Sequence, residues 1–268
     1  MQISVIVPTY RPKDYLWECL DSMVHQTFPK DKFELILILN GCSEPWKTQI
    51  QSYVTSHMQG VNVTFVQVDE GGVSNARNIG LNLAKGKFIA FIDDDDYVSE
   101  NYLEELFKLV SDDTVVLCYP YAFNDQQISP QLSYSLTTTY DRLSRLGGIK
   151  TMHSVRKFFS GPCMKLIPVG IIGANRFDVA FKNGEDSLFM FLISDKIKQV
   201  KFSSPQAVYY RRYRINSAYT IKKSFLYKLI NSTRLIISYT KIYFSSPCRY
   251  KVTFYISRII GALKSLFN

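Results

Sequence analysis

The feature that most narrows the fold is an alternation of two hydrophobic periods in the first half of the chain. Four short runs read as strands: ISVIVP (Ile3 to Pro8), FELILIL (Phe33 to Leu39), VNVTFVQV (Val61 to Val68) and KFIAFI (Lys87 to Ile92). The first, second and fourth are nearly continuous in apolar character, the mark of strands covered on both faces. Between them lie segments of helical period. YLWECLDSMV sets Leu16, Cys19, Leu20, Met23 and Val24 on one face, and SNARNIGLNLA sets Ala76, Ile79, Gly80 and Leu83 on another. After the fourth run, Ser99 is placed to cap a helix with Glu100 in its first turn and Leu103, Leu106, Phe107 and Val110 facing inward. A repeated β-α-β-α pattern predicts an α/β fold: an open, mostly parallel sheet flanked by helices.

That architecture predicts where a ligand sits, because open α/β sheets bind in the crevice outside the carboxyl ends of their strands. The segments expected there are PTYRP, NGCSE, DEGGVSNARN and DDDD, all polar or bearing Gly or Pro. The last is the most unusual. Asp93, Asp94, Asp95 and Asp96 repel one another, and no basic residue follows within ten positions. A solvated acidic turn is the competing reading. At the end of an extended segment, residues i and i+2 project to one side, so Asp93 and Asp95 are expected to share a partner while Asp94 points elsewhere. A strand end beside a crevice favours a hard divalent cation, Mg²⁺ or Mn²⁺, held by one or two carboxylates together with substrate phosphates.

Charge divides the chain. Residues 1–195 carry 17 Lys and Arg against 23 Asp and Glu, whereas residues 196–268 carry 15 basic residues and no acid. After Thr220 two basic helices are expected, FLYKLINSTRLIISYTKIYF and YKVTFYISRIIGALKSLF. In the second, Val252, Tyr255, Ile256, Ile259, Ile260, Leu263, Leu266 and Phe267 form an arc. Lys251, Arg258 and Lys264 lie off it, and Phe254 is a misfit. Basic residues interrupt the run, so a membrane-spanning helix of roughly 20 apolar residues is excluded. Packing onto the main domain is one reading of this tail. An interfacial helix pair on an anionic membrane is the other, and it fits the charge better. Nucleic acid is not an expected partner, because no reader motif accompanies the charge. Five scattered cysteines without a C-x-x-C pair read as reduced thiols, and the start of the chain lacks the pattern of a signal peptide, so a cytoplasmic protein is expected.

Taken in order, SVIVPTY, EGGVSNARNIGLNLAKGKFIAFIDDDDYVSENYLEEL and KNGEDSLFMFLI resemble the motifs of the family 2 glycosyltransferases, over roughly residues 2–215. The resemblance implies the GT-A nucleotide-diphospho-sugar transferase fold. It divides the chain into a catalytic domain at 1–220 (donor half about 1–98, acceptor half about 99–220) and a basic helical C-terminal appendage at 221–268. It implies a D-x-D element at Asp93, Asp94 and Asp95. Asp95 is the first choice for the Mn²⁺ or Mg²⁺ ion, and Asp93 shares the metal or contacts the ribose. Pro8, Thr9 and Tyr10 would line the base, and Asn40 could read a uracil edge. Arg77 would lie near the diphosphate. The family pattern has Asn where this chain has Arg11, and an acidic Asp-Asp-Gly-Ser where it has Leu39 to Cys42.

Helical spacing in NGEDSLFMF puts Glu185 and Asp186 at a helix start, where acids favour the helix dipole whatever else they do. The resemblance makes Asp186 the catalytic base and Glu185 its orienting neighbour. It implies inverting transfer from a nucleotide donor, a UDP-sugar by preference, to a saccharide or lipid-linked saccharide in surface-polysaccharide synthesis at the inner face of the membrane. The alternative is a non-catalytic nucleotide-sugar- or membrane-binding protein of the same fold. A dinucleotide oxidoreductase is disfavoured, since PTYRP stands where G-x-G-x-x-G would be needed. His153, Gly161, Lys165 and the arginines at 211, 212 and 214 are left without an assigned role.

Overall fold

The structure, a computed structural model, describes residues 1–124, 132–146, 150–214 and 223–267. The four strands and the two helices read between them are present as β1 (Ile3–Thr9), α1 (Tyr15–Val24), β2 (Phe33–Asn40), β3 (Asn62–Val68), α3 (Val73–Leu83) and β4 (Phe88–Phe91), and a further helix, α2 (Trp46–His57), for which the sequence pattern singles out no segment, joins β2 to β3. β1 pairs in parallel with both β2 and β4, and β2 with β3. β1, β2 and β4 are buried along their whole length, whereas β3, an edge strand, is only half-buried. That difference is the one the residue patterns predicted.

Beyond β4 the chain runs through β5 (Tyr97–Val98), α4 (Tyr102–Phe107), β6 (Thr114–Leu117), β7 (Tyr119–Asn124), α5 (Ser135–Ser144), β8 (Lys165–Pro168), α6 (Val169–Ile172), α7 (Glu185–Leu192), β9 (Gln199–Phe202) and β10 (Val208–Tyr213). The main sheet has the order β3-β2-β1-β4-β8-β6-β9, with β8 antiparallel to both neighbours. A second sheet, β5-β10-β7, stands beside the end of β4. Ser99 does not cap α4, which starts three residues later. Its hydroxyl accepts the Val208 N–H instead, fastening the aspartate turn's exit to β10.

Alternate strand residues feed two cores. Val5 and Val7 face one side with Leu16, Cys19 and Leu103, and Ile6 faces the other with Ala76, Phe91 and Phe189. On that second side α3 lies close to β1, because a Cβ at Gly80 would come within 2.4 Å of Ile6. The α3 face is turned from the one expected: Ser74, Ala76, Arg77 and Gly80 are buried, and Leu83 is exposed.

The C-terminal residues form α8 (Phe225–Ser245) and α9 (Val252–Lys264), packed on α7 and on each other. Leu235, Tyr239, Phe254 and Ala262 belong to the same core as Phe189 and Phe191. The apolar arc of α9 is divided: Tyr255 and Ile259 pack partly buried against this core, and most of the rest does not. Phe254, Arg258 and Ala262 are buried, while Val252, Ile256, Ile260, Leu263 and Phe267 of the apolar arc are exposed. No helix among the described residues is long and apolar enough to cross a membrane.

Candidate active site

β1, β2 and β4 end at one edge of the sheet, and the polar loops that follow them build the site. The chain turns sharply after β4, with the Asp96 N–H donating to the Asp93 carbonyl at 3.0 Å. The backbone here is a turn and not the extended segment assumed for Asp93 and Asp95, and the two carboxylates meet different protein groups. Each carboxylate has its own. Asp93 Oδ1 accepts from Arg77 Nη2 at 2.8 Å, Asp94 Oδ2 from the Thr9 hydroxyl at 2.5 Å, and Asp95 Oδ2 from Arg214 Nε at 2.6 Å. Asp96 is buried and accepts the Arg212 N–H at 2.8 Å, tying the turn to β10. Tyr209 on β10 also holds the turn, its hydroxyl accepting the Asp93 N–H at 3.2 Å.

This grouping is electrostatically undersupplied with positive charge. Burial, with like charge adding to it, pushes the Asp94 carboxyl up to about 7. Burial also raises Asp95, despite Arg214, and carries Asp96 well above the usual carboxylate range. Hard carboxylate oxygens whose charge the protein only partly offsets suit a divalent cation. Among the described residues no three acidic, His or Cys side chains converge on one point.

The second carboxylate pair meets the first through Arg77. Gly184, with φ of +86°, starts α7, and a Cβ there would meet Leu235 of α8 at 2.6 Å. Glu185 and Asp186 follow in the first turn. Arg77 links the two halves: Nη1 donates to Asp186 Oδ1 at 2.6 Å while Nη2 holds Asp93. Its guanidinium is 3% exposed and lies over the Phe177 ring, which stacks on Phe189. Burial works against the Arg77 charge, yet Asp186 and Asp93 outweigh it and hold the group above the ordinary arginine value. Arg77 is thus neither a surface ion pair nor a group pointing freely at the crevice. Burial raises the Asp186 carboxyl against the pull of Arg77, and it raises Glu185 to about 7 with Asp186 adding to the shift. A Cβ at Gly161 would stand 3.9 Å from Asp186 Oδ2, so the missing side chain keeps that oxygen approachable.

Lys165, unassigned from sequence, is fully buried on β8 and donates to the carbonyls of Gly161 and Cys163, both at 2.6 Å. Burial lowers it to about 8. It pins the turn beneath Asp186. Arg258, from α9, does the same one step earlier, donating to Phe159 O at 2.7 Å and Arg156 O at 3.1 Å. His153 lies on the surface.

The loops after β1 and β2 form the remaining wall. Tyr10 is 51% exposed and offers its ring to the crevice, with the Arg11 guanidinium 5.2 Å from the ring centre. Pro8 and Thr9 are buried beneath it. Asn40, expected to read a base, is buried with both ends of its amide engaged by main chain. Nδ2 donates to Thr9 O, and Oδ1 accepts the Gly72 N–H, both at 2.8 Å. It stitches β1 to the entry of α3, while Tyr10 and Arg11 are exposed and Cys42 is half-buried.

Residues 4–166 match the family model described as "Glycosyl transferase family 2". The chain belongs to that family. Among relatives of the family, the poly(ribitol-phosphate) beta-N-acetylglucosaminyltransferase TarS of Staphylococcus aureus is 28% identical over 84% of this chain and 39% of its own length. A poly(ribitol-phosphate) beta-glucosyltransferase of Bacillus spizizenii is 27% identical over 78% of this chain and 32% of its own. The chain thus spans well under half the length of these two relatives. The crystal structure of S. aureus TarS 1-349 in complex with UDP-GlcNAc superposes with a TM-score of 0.75 at 23% identity, covering 100% of this chain and 73% of that one. The likeness establishes the shared GT-A fold, helical C-terminal region included.

Proposed function

We propose that this protein transfers a sugar from a nucleotide-diphosphate donor, a UDP-sugar, to a hydroxyl of a saccharide acceptor, with inversion at the anomeric carbon. The observation that carries the reading is the Arg77 clamp, which fixes Asp93 of the aspartate turn and Asp186 of α7 across one crevice, at 2.8 and 2.6 Å. A mere binding protein needs no carboxylate held opposite a phosphate site; a transferase does. The acceptor oxygen attacks the anomeric carbon, the bond to the diphosphate breaks, and Asp186 takes the acceptor proton on Oδ2. Arg77 keeps Oδ1 engaged and the carboxylate oriented. Asp95 and Asp93 would hold Mn²⁺ or Mg²⁺, which when bound neutralises charge on the departing diphosphate. Tyr10 stacks on the base, and Thr9 and Asn40 shape the wall behind it.

Support for a UDP-sugar comes from the family and from the donor named for the TarS complex; support for a polyol-phosphate or other surface-polysaccharide acceptor comes from the relatives' names. We place the reaction at the inner face of the cell membrane, on an acceptor carried by lipid. Release of UDP or GDP measured across a panel of sugar nucleotides identifies the donor. Asp186→Asn should lower kcat by about 10²- to 10⁴-fold, the usual contribution of a general base, and leave the donor KM within a few-fold. Parent-level turnover in that variant would remove Asp186 from the role of base.

A further inference from the structure

The apolar residues of the C-terminal helices fall into two sets, and only one is used by the fold. On α8, Ser232, Leu235 and Tyr239 are buried; on α9, Phe254, Arg258 and Ala262 are. Ile237 and Ile256 stand two residues along from Leu235 and Phe254, which in an α-helix places them on the opposite side. Ile230, Ile237 and Phe244 continue this outer stripe on α8, and Ile256, Ile260 and Leu263 form its counterpart on α9. All six are 45–65% exposed. The helices are locked together by the stacked rings of Tyr243 and Tyr255, 4.4 Å apart, and by hydroxyl contacts of Thr240 with Tyr255 and of Ser232 with Ser265. The two stripes therefore lie side by side on one outward face.

Charge identifies what covers that face. Lys241, Arg249, Lys251 and Lys264 are exposed around it, and no acidic residue follows Asp195 anywhere in the chain. A second copy docked face to face would set this basic rim against itself. An acidic aqueous partner would satisfy the rim and leave the isoleucines without apolar contact. A bilayer with anionic headgroups satisfies both at once: apolar side chains enter the acyl boundary and the lysines remain at headgroup level. No helix among the described residues is able to span, so this mode of docking sets the pair in the plane of the interface.

We infer that the outer face of α8 and α9 is a docking surface for an anionic lipid bilayer. It rests on the reading above only in that the enzyme works at a membrane; it does not depend on the transfer chemistry. The inner face gives the docking a structural consequence. Tyr239 bonds Ser187 at 2.6 Å, Asn231 donates to Asn183 O at 3.2 Å, and Leu235 fills the space beside Gly184. The helix pair is thereby fastened to the start of α7, so docking fixes the height and tilt of Asp186 over the leaflet.

Sedimentation of the full chain with vesicles tests it. Phosphatidylcholine vesicles containing phosphatidylglycerol should bind the protein in low salt and release it in high salt, and phosphatidylcholine alone should bind at least about tenfold less. Replacing Ile237, Ile256 and Ile260 together by Gln should weaken binding at least about tenfold. So should the pair Lys241→Glu and Lys264→Glu, with the circular dichroism spectrum unchanged in both. Equal binding to the two vesicle types, parent-like binding of either variant, or a dimer that the Gln variant turns into a monomer while vesicles bind nothing, would each overturn the inference. Donor turnover in the same variants stays at the parent level on either outcome, which keeps this test separate from that of Asp186.

Discussion

Replacing Arg77 by Met removes the cation that touches both carboxylate clusters, and the structure sets the size of the effect. Breaking a buried ion pair costs about 3–5 kcal/mol, because a charge is left without its partner. Here the side chains of Asp93 and Asp186 remain 42% and 28% exposed while Arg77 is 3% exposed, so water relieves part of the penalty. The lower end, about 3 kcal/mol, is the reasoned value. For a domain of this size that is a fall in Tm of about 6–12 °C. The stranded carboxylates answer by taking up protons, so the loss should be larger at pH 8 than at pH 5. Arg77→Lys keeps a charge but cannot span two carboxylates with a planar fork, and should recover only part of the stability. Turnover should fall by about 10²-fold or more in Arg77→Met, since a loosened base is a misplaced one. Thermal unfolding followed by circular dichroism, with UDP release in parallel, measures both. A second change, Asp93→Asn, made in the Arg77→Met background, should restore stability by removing one uncompensated charge, a non-additivity that a double-mutant cycle detects. An Arg77→Met protein that melts within about 2 °C of the parent and turns over donor at the parent rate would refute the clamp.

Two further outcomes follow from the raised carboxylates. Asp94 and Glu185 have folded pKa values of about 7, above their ordinary 3.8 and 4.5, so the fold binds more protons than the unfolded chain between those values. Their contribution to stability is full below about pH 4 and is lost as pH rises through about 7, so Tm should decline over that interval; a Tm that rises steadily from pH 5 to 8 would contradict the assignment. Mn²⁺ with UDP should raise Tm more at pH 8 than at pH 5, and EDTA should abolish both the shift and sugar transfer; transfer undiminished in EDTA would remove the metal role from Asp95 and Asp93.

What the sequence determined by itself was local and periodic. The four strand runs, α1 and α3, and the weaker burial of β3 follow from side-chain periodicity over a few residues, and hydrophobic burial acts on that same scale. Helical spacing put Glu185 and Asp186 in the first turn of α7. The tertiary structure decided what depended on contacts distant in sequence. Arg77 meets Asp186 across 109 positions and Arg214 meets Asp95 across 119, and no pattern within either segment encodes those pairings. The extended backbone assumed for Asp93 and Asp95 is instead a turn, because the chain reverses as soon as β4 ends. Asn40, polar and well placed to meet a ligand, is taken by two main-chain groups. The tail shows the limit most sharply. An amphipathic helix states that one face is apolar, not which face the protein will cover. α9 docks through Phe254, Arg258 and Ala262, with Arg258 donating to the carbonyls of Phe159 and Arg156, and this leaves Val252, Ile256, Ile260, Leu263 and Phe267 of the apolar arc facing outward.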